Sequence, residues 1–297
     1  MKAPTDKRND TIQICVTWAC DRFTCSNCTQ LLPFRCDEIH MHPDCFRRAV
    51  SSVRDWPGVV GMFGGNPCVH PMFETLCDIL AEEIPEQRRR GLWSNNLLGH
   101  GETVRRTFYP HGRFNLNAHG DAAAAEEIER ELPGKLIPHS SAKQSMHSAI
   151  LVDWRDMGIP PDTWHALREA CDINLNWSAG IREVDGDPYV YFCEVAAALD
   201  GIRGVNYGIP AEPGWWRWDI SRFAQQVANC CNAGCGVPLR IEGSSDVADQ
   251  YDMSTRWNEA LEHHHGRIHR RILETAPVGS CPEATDYMRR RSRPCRG

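Results

Sequence analysis

The 297-residue chain has no tract approaching the roughly 20 consecutive apolar residues of a membrane span, so no spanning helix is expected. Met1 to Thr11 is polar and charged, without the apolar core of a secretory signal, and a cytoplasmic location is therefore the expectation. Positive charge is not in surplus. The net charge is -6, and phosphate binding needs a local excess of Lys and Arg, which argues against nucleic acid as the main partner. The basic run Arg289, Arg290, Arg291, Arg293 and Arg296 reads as a solvated tail. No internal repeat recurs at a fixed period. Low complexity is confined to Ala122 to Ala125 and to His263 to His265, the histidines reading as solvated helix residues.

What is present describes a folded protein: 41% apolar residues, 24% charged and 10 Trp. The length suits one large α/β domain, or such a domain with a smaller appendage. Cysteine is abundant, at 15 residues. The odd count and the missing export signal make a disulfide framework a poor explanation, whereas thiolates are preferred ligands of zinc and of iron–sulfur clusters.

Strand and helix patterns alternate. Thr11 to Thr17 reads as a β-branched strand, Pro43 to Val53 as a helix with Pro in its first turn, Val59 to Phe63 as a buried strand, and Pro71 to Glu83 as an amphipathic helix. Gly91 to Ser94 and Phe114 to Asn117 follow as strands around a helix near Glu102 to Thr107, and Asp121 caps a helix to Leu132. Ser148 to Val152 and Ile173 to Trp177 are expected as further strands flanking a helix over Pro161 to Ala170. Such alternation implies a parallel sheet with its site at the strands' carboxyl ends. The expected architecture is α/β, a partial parallel (β/α)6-type barrel over residues 10–185. The composition changes after about residue 185, through Tyr189 to Cys193, a Gly- and Trp-rich stretch, a helix from Ile220 to Ala228 and the cluster Cys230-Cys231-x3-Cys235. Residues 186–297 therefore read as a small Cys-rich appended domain.

Cys20, Cys25 and Cys28 lie within nine residues, directly after the first strand. Three thiolates so spaced can wrap one face of a [4Fe-4S] cube and leave one iron without a protein ligand. A structural zinc knuckle is the competing reading, using Cys25 and Cys28 with Cys36, His40, His42 or Cys45.

The order of strand, three-Cys loop, helix, strand, then GMFGGNPCVHPMFETL and later RRGLWSNN resembles the radical S-adenosylmethionine (radical SAM) superfamily over roughly residues 10–180. The chain departs from the usual family pattern twice: four residues rather than three separate Cys20 from Cys25, and Asn66 stands where Glu is usual. The resemblance implies S-adenosylmethionine on the open iron, reductive cleavage to a 5'-deoxyadenosyl radical, and hydrogen abstraction from a substrate. It also implies a reductant such as flavodoxin or ferredoxin. Gly64, Gly65, Asn66 and Pro67 would lie along the methionine moiety, while Ser94, Asn95 and Asn117 are candidates for its ribose or carboxylate. Asn115, His119, Asp153 and Arg155 leave strand ends as polar candidates or ordinary turn residues. Cys15, Cys68, Cys77 and Cys171 read as small core residues.

The layout also resembles the auxiliary-cluster domains of the SPASM/twitch kind, implying a second iron–sulfur cluster on Cys193, Cys231 and Cys235 with Cys230 or Cys281 as fourth ligand; zinc on the same thiolates is the alternative. Two other functions stand beside the enzyme: a zinc-stabilised binding module and a non-catalytic iron–sulfur electron carrier. The substrate class stays open among a peptide, a sugar and a small metabolite. A peptide or protein side chain is favoured by fold-level analogy.

Overall fold

The computed structural model describes residues 11–22, 25–35, 40–137, 147–171, 179–241, 250–262 and 269–275. Strand β1 (Thr11–Thr17) is buried along its whole length, as its unbroken run of β-branched and apolar residues requires. On one side it pairs in parallel with β2 (Val59–Gly64), which leads outward to β3 (Arg90–Ser94) and β4 (Arg113–Leu116), all parallel. Helices α1 (Pro43–Ser52), α2 (Phe73–Glu83), α3 (Gly101–Phe108) and α4 (Ala122–Glu131) follow the strands and pack neighbour on neighbour. Their apolar stripes supply Phe46, Val50, Leu76, Leu80, Val104, Phe108 and Ile128 to the core beneath the sheet. Asp121 caps α4 as expected, accepting from the Ala124 amide at 3.0 Å.

The other side of β1 departs from a six-strand parallel barrel. β5 (Ala179–Val184) pairs with β1 in parallel, and β6 (Asp187–Tyr191) and β7 (Ile209–Pro210) then continue the sheet antiparallel. The order is β4-β3-β2-β1-β5-β6-β7, six of the seven strands run in one direction with β6 against them, and no barrel closes among the described residues. The strand expected at Ser148 to Val152, which precedes α5 (Pro161–Glu169), is reduced to isolated pairing, Leu151 bridging Met253, because its backbone bonds go to Gly236, Ile241 and Ser254 rather than to the main sheet. The strand expected at Ile173 to Trp177 lies outside the described residues, as do His263 to His265 and the arginine tail. The boundary expected at residues 185/186 falls in the Asp185-Gly186 turn between two paired strands, and the sheet runs through it.

A helix that the sequence pattern did not reveal, α6 (Glu194–Arg203), follows β6 and ends at Gly204 in the left-handed conformation. The helix expected from Ile220 to Ala228 is present in broken form: a 3-10 turn, one α turn, and a π segment reaching Cys231. A two-stranded parallel sheet, β8 (Gln250–Ser254) with β9 (His269–Leu273), and the short α7 (Thr255–Ala260) complete the described chain. No helix among the described residues is long and apolar enough to cross a membrane.

Candidate functional site

Where β1 ends, its pairing with β2 slips between Cys15 and Thr17, and the chain turns into the cysteine loop at the carboxyl end of the parallel strands. Three anchors hold that loop. The Asp21 carboxylate accepts amide hydrogens from Asn66 (2.8 Å), Asn95 (3.2 Å) and Asn96 (3.3 Å). Arg22 pairs with Asp121 at the start of α4. Asn27, between the second and third cysteines, is clasped by β8: its side chain donates to Asp252 Oδ2 at 2.8 Å and accepts from the Asp252 amide at 2.9 Å. The clasp is buried, Asp252 having no exposed surface.

Cys20, Cys25 and Cys28 thus come together on the wall of a cavity of about 400 Å³, whose walls also include Gly64, Gly65, Ser94, Asn95 and Asn117. Five of the seven expected cofactor contacts therefore line one space with the three cysteines. Asn66 and Pro67 stand behind that wall. Asn66 is fully buried and caps the turn after β2, accepting from the Cys68 amide and the Ser94 hydroxyl. The two glycines have a further reason to be glycine. A Cβ on Gly64 would lie 2.1 Å from the Thr17 carbonyl oxygen, and one on Gly65 would lie 2.0 Å from that of Ala19. Backbone bonds from Gly65 to Thr17 and from Asn66 to Ala19 zip this turn to the start of the loop.

The wall contains an orphan acceptor. Asn95 is 6% exposed, its amide nitrogen serves Asp21, and its carbonyl oxygen Oδ1 is buried with no hydrogen-bond partner among the described residues. A ligand carrying a hydroxyl or amino group in the cavity would satisfy it. Burial pushes the Cys28 thiol up to about 11, with the neighbouring Cys20 adding to the rise. His119, in the left-handed region at φ 48°, brings Nε2 to 3.9 Å from Cys25 Sγ. Burial holds His147 neutral, down to about 4, with the nearby His119 pressing the same way. His119, His147, Asn115, Gln13, Glu194 and Tyr251 all face the cavity.

Cysteines meet in a second place. Cys171, Cys193, Cys230, Cys231 and Cys235 surround one apolar hollow between α5, α6 and the π segment. Burial raises the thiols of Cys231 and Cys235, and each feels its cysteine neighbours, Cys171 and Cys193 among them. Cys171, just after α5, is the small core residue that its sequence context suggested, and it also lines this hollow, which the sequence did not signal. Cys230 is differently engaged, donating to Asp200 Oδ1 at 3.4 Å and to the Ala196 carbonyl at 3.7 Å. Adjoining residues wall the two spaces: Cys193 faces this hollow and Glu194 the larger cavity. Asp153 and Arg155 line neither. They pair with each other beside a surface groove that includes Arg203 and Trp257.

Among the described residues, no three His, Cys, Asp or Glu side chains converge closely enough to hold a single metal ion. The donor sets are nevertheless soft sulfur, three thiols in the first place and at least four in the second, which suits iron–sulfur chemistry. The expected Cys36 and Cys281 lie outside the described residues.

Fold and site define an α/β protein whose cysteine-walled cavity sits at the carboxyl ends of parallel strands. Two solved structures, both of BtrN, are similar to it. One, in complex with AdoMet and 2-DOIA, shares 16% identity at a TM-score of 0.47, over 76% of this chain and 89% of that one. The other, selenomethionine BtrN in an open conformation, shares 15% identity at a TM-score of 0.40, over 78% and 89%. No family model matches the chain, and no curated protein matches it.

Proposed function

We propose that the chain is a radical SAM enzyme in which Cys20, Cys25 and Cys28 hold a [4Fe-4S] cluster in the wall of the large cavity. The observation that carries this reading is the meeting of those three thiols with Gly64, Gly65, Asn95 and Asn117 at the ends of four adjacent parallel strands. A cluster held by these three thiolates, together with S-adenosylmethionine, would supply reductive radical chemistry for hydrogen abstraction from a substrate.

The chain's own residues have positional work. The bonds of Asp21, Arg22 and Asn27 hold the loop in register with the strand ends. The orphan Asn95 Oδ1 accepts from a cofactor hydroxyl or amino group, and Asn117 and the backbone of Gly64 and Gly65 complete the same wall. Ser94 belongs to that wall too, its hydroxyl committed to Asn66 Oδ1 at 2.8 Å. At about 400 Å³ the cavity is in the range of small-molecule sites, so one small metabolite, a sugar or a single peptide side chain is the substrate class, with flavodoxin or ferredoxin as reductant.

Within this reading Cys171, Cys193, Cys231 and Cys235 hold a second iron–sulfur cluster, with Cys171 in the place first expected for Cys230. Zinc keeps one observation on its side: the hollow holds only about 20 Å³, room for roughly one water-sized body. The purely sulfur donor set supports the cluster.

Anaerobically reconstituted, dithionite-reduced protein is expected to release 5'-deoxyadenosine from S-adenosylmethionine. A fully loaded sample that releases none overturns the enzyme in favour of an electron carrier, while colourless protein containing only zinc leaves a binding module.

A further inference from the structure

We infer that Arg168 is a positioning residue that donates from its buried Nε–H to a sulfur of the second centre and raises that centre's reduction potential; this rests on the reading of Cys171, Cys193, Cys231 and Cys235 as ligands of an iron–sulfur cluster. Arg168 lies in α5, three residues before Cys171, and its side chain shares the wall of the hollow with the cysteines. Only 12% of that side chain is exposed.

Its guanidinium is fixed at the outer end. Nη1 donates to Asn232 Oδ1 at 2.7 Å, directly after Cys231, and Nη2 reaches His165 Nδ1 at 2.8 Å and Glu169 Oε1 at 3.2 Å. Nε is buried with no partner among the described residues. A buried donor left unpaired costs about 1–3 kcal/mol, and more on a charged group. A sulfur carrying negative charge is the partner that an otherwise apolar hollow would offer it. The second cation nearby, Arg203, is already engaged: its Nη atoms donate to the Asn229 and Ala233 carbonyls. Hydrogen bonds to the sulfurs and burial are what set the potential of a cluster of given type, and a donor stabilises the more negative, reduced form.

The test is a redox titration of the reconstituted full chain, followed by electron paramagnetic resonance, with both clusters read in one sample. Replacing Arg168→Met is expected to make reduction of the second cluster about tenfold less favourable, a fall of about 59 mV for one electron. The first cluster's potential is expected to stay fixed. Asn232→Ala, which leaves Arg168 in place but frees its outer end, is expected to lower the second potential by a smaller amount, and it decides the matter if Arg168→Met fails to fold or to hold its second cluster. About eight irons per chain with the second potential unchanged in the variant overturns the role of Arg168 alone. About four irons with one zinc in the unmutated protein overturns the reading beneath it.

Discussion

Asp21 and Asn66, 45 residues apart, are joined by a 2.8 Å hydrogen bond from the Asn66 amide to the Asp21 carboxylate. The bond ties the cysteine loop to the turn after β2, and it accounts for an Asn where the resembling family usually has Glu. A carboxylate at position 66 would face that of Asp21. Asn66→Glu is therefore expected to destabilise the protein by roughly 1–3 kcal/mol. Asp21→Asn in the same chain should recover part of the loss. Denaturant unfolding of the two variants checks this, and a double variant no more stable than the single one would show the charges to be uncoupled.

Gly65→Ala should damage the loop itself. Its Cβ would meet the Ala19 carbonyl at 2.0 Å, a backbone atom with nowhere to go. The expected result is a loss of roughly 1–3 kcal/mol together with reduced iron content. Wild-type stability with weakened S-adenosylmethionine binding would instead return the glycine to a purely cofactor-facing role.

The second set of thiols separates by substitution. Cys171→Ser and Cys235→Ser should each remove the second centre's metal while leaving about four irons at the first cluster. Cys230→Ser, whose side chain already bonds to Asp200 and Ala196, should retain both centres. Iron, zinc and sulfide analysis distinguishes these outcomes, and metal loss from Cys230→Ser with retention in Cys171→Ser would reverse the assignment.

Acid should weaken the fold through buried histidines. Burial lowers His70 from 6.5 to about 4, and its neutral ring is pinned at both nitrogens: Nδ1 accepts from the Met72 amide at 3.0 Å and Nε2 donates to the Met41 carbonyl at 2.9 Å. His147 is lowered to about 4 as well. Each binds a proton more readily in the unfolded chain, so its contribution is full above about pH 6.5 and is lost as pH falls through about 4. Thermal unfolding across that window should show the decline, with a shallower slope in His70→Gln; identical slopes would remove His70 as a cause.

Much of the parallel half of the sheet was readable because its signals are local. β1 is a run of β-branched residues, α2 places Phe73, Leu76, Cys77 and Leu80 on one face, and Asp121 announces α4. Other features were hidden for physical reasons. α6 is buried from Glu194 to Ile202, with three alanines in a row, so it has no polar face against which an amphipathic stripe could be seen. The pairing of β5 with β1 depends on sequence-distant contact, and so does the arrival of β8 at Asn27. Cys171 carried no spacing signal because the cysteines that line the hollow with it stand on other elements. The loop cysteines and their glycine-rich neighbour were legible as a motif, whereas Asp21, which holds them together, was visible only in three dimensions.

The peptide bond between Cys193 and Glu194 has an evolutionary corollary. Neighbouring Cα atoms are separated by a fixed step of about 3.8 Å, so a residue recruited to discriminate among substrates at one wall cannot drift without dragging the residue behind it. Variation in substrate preference should therefore accumulate on the far side, at Asn115 on β4, while the 193–194 pair is inherited as a unit.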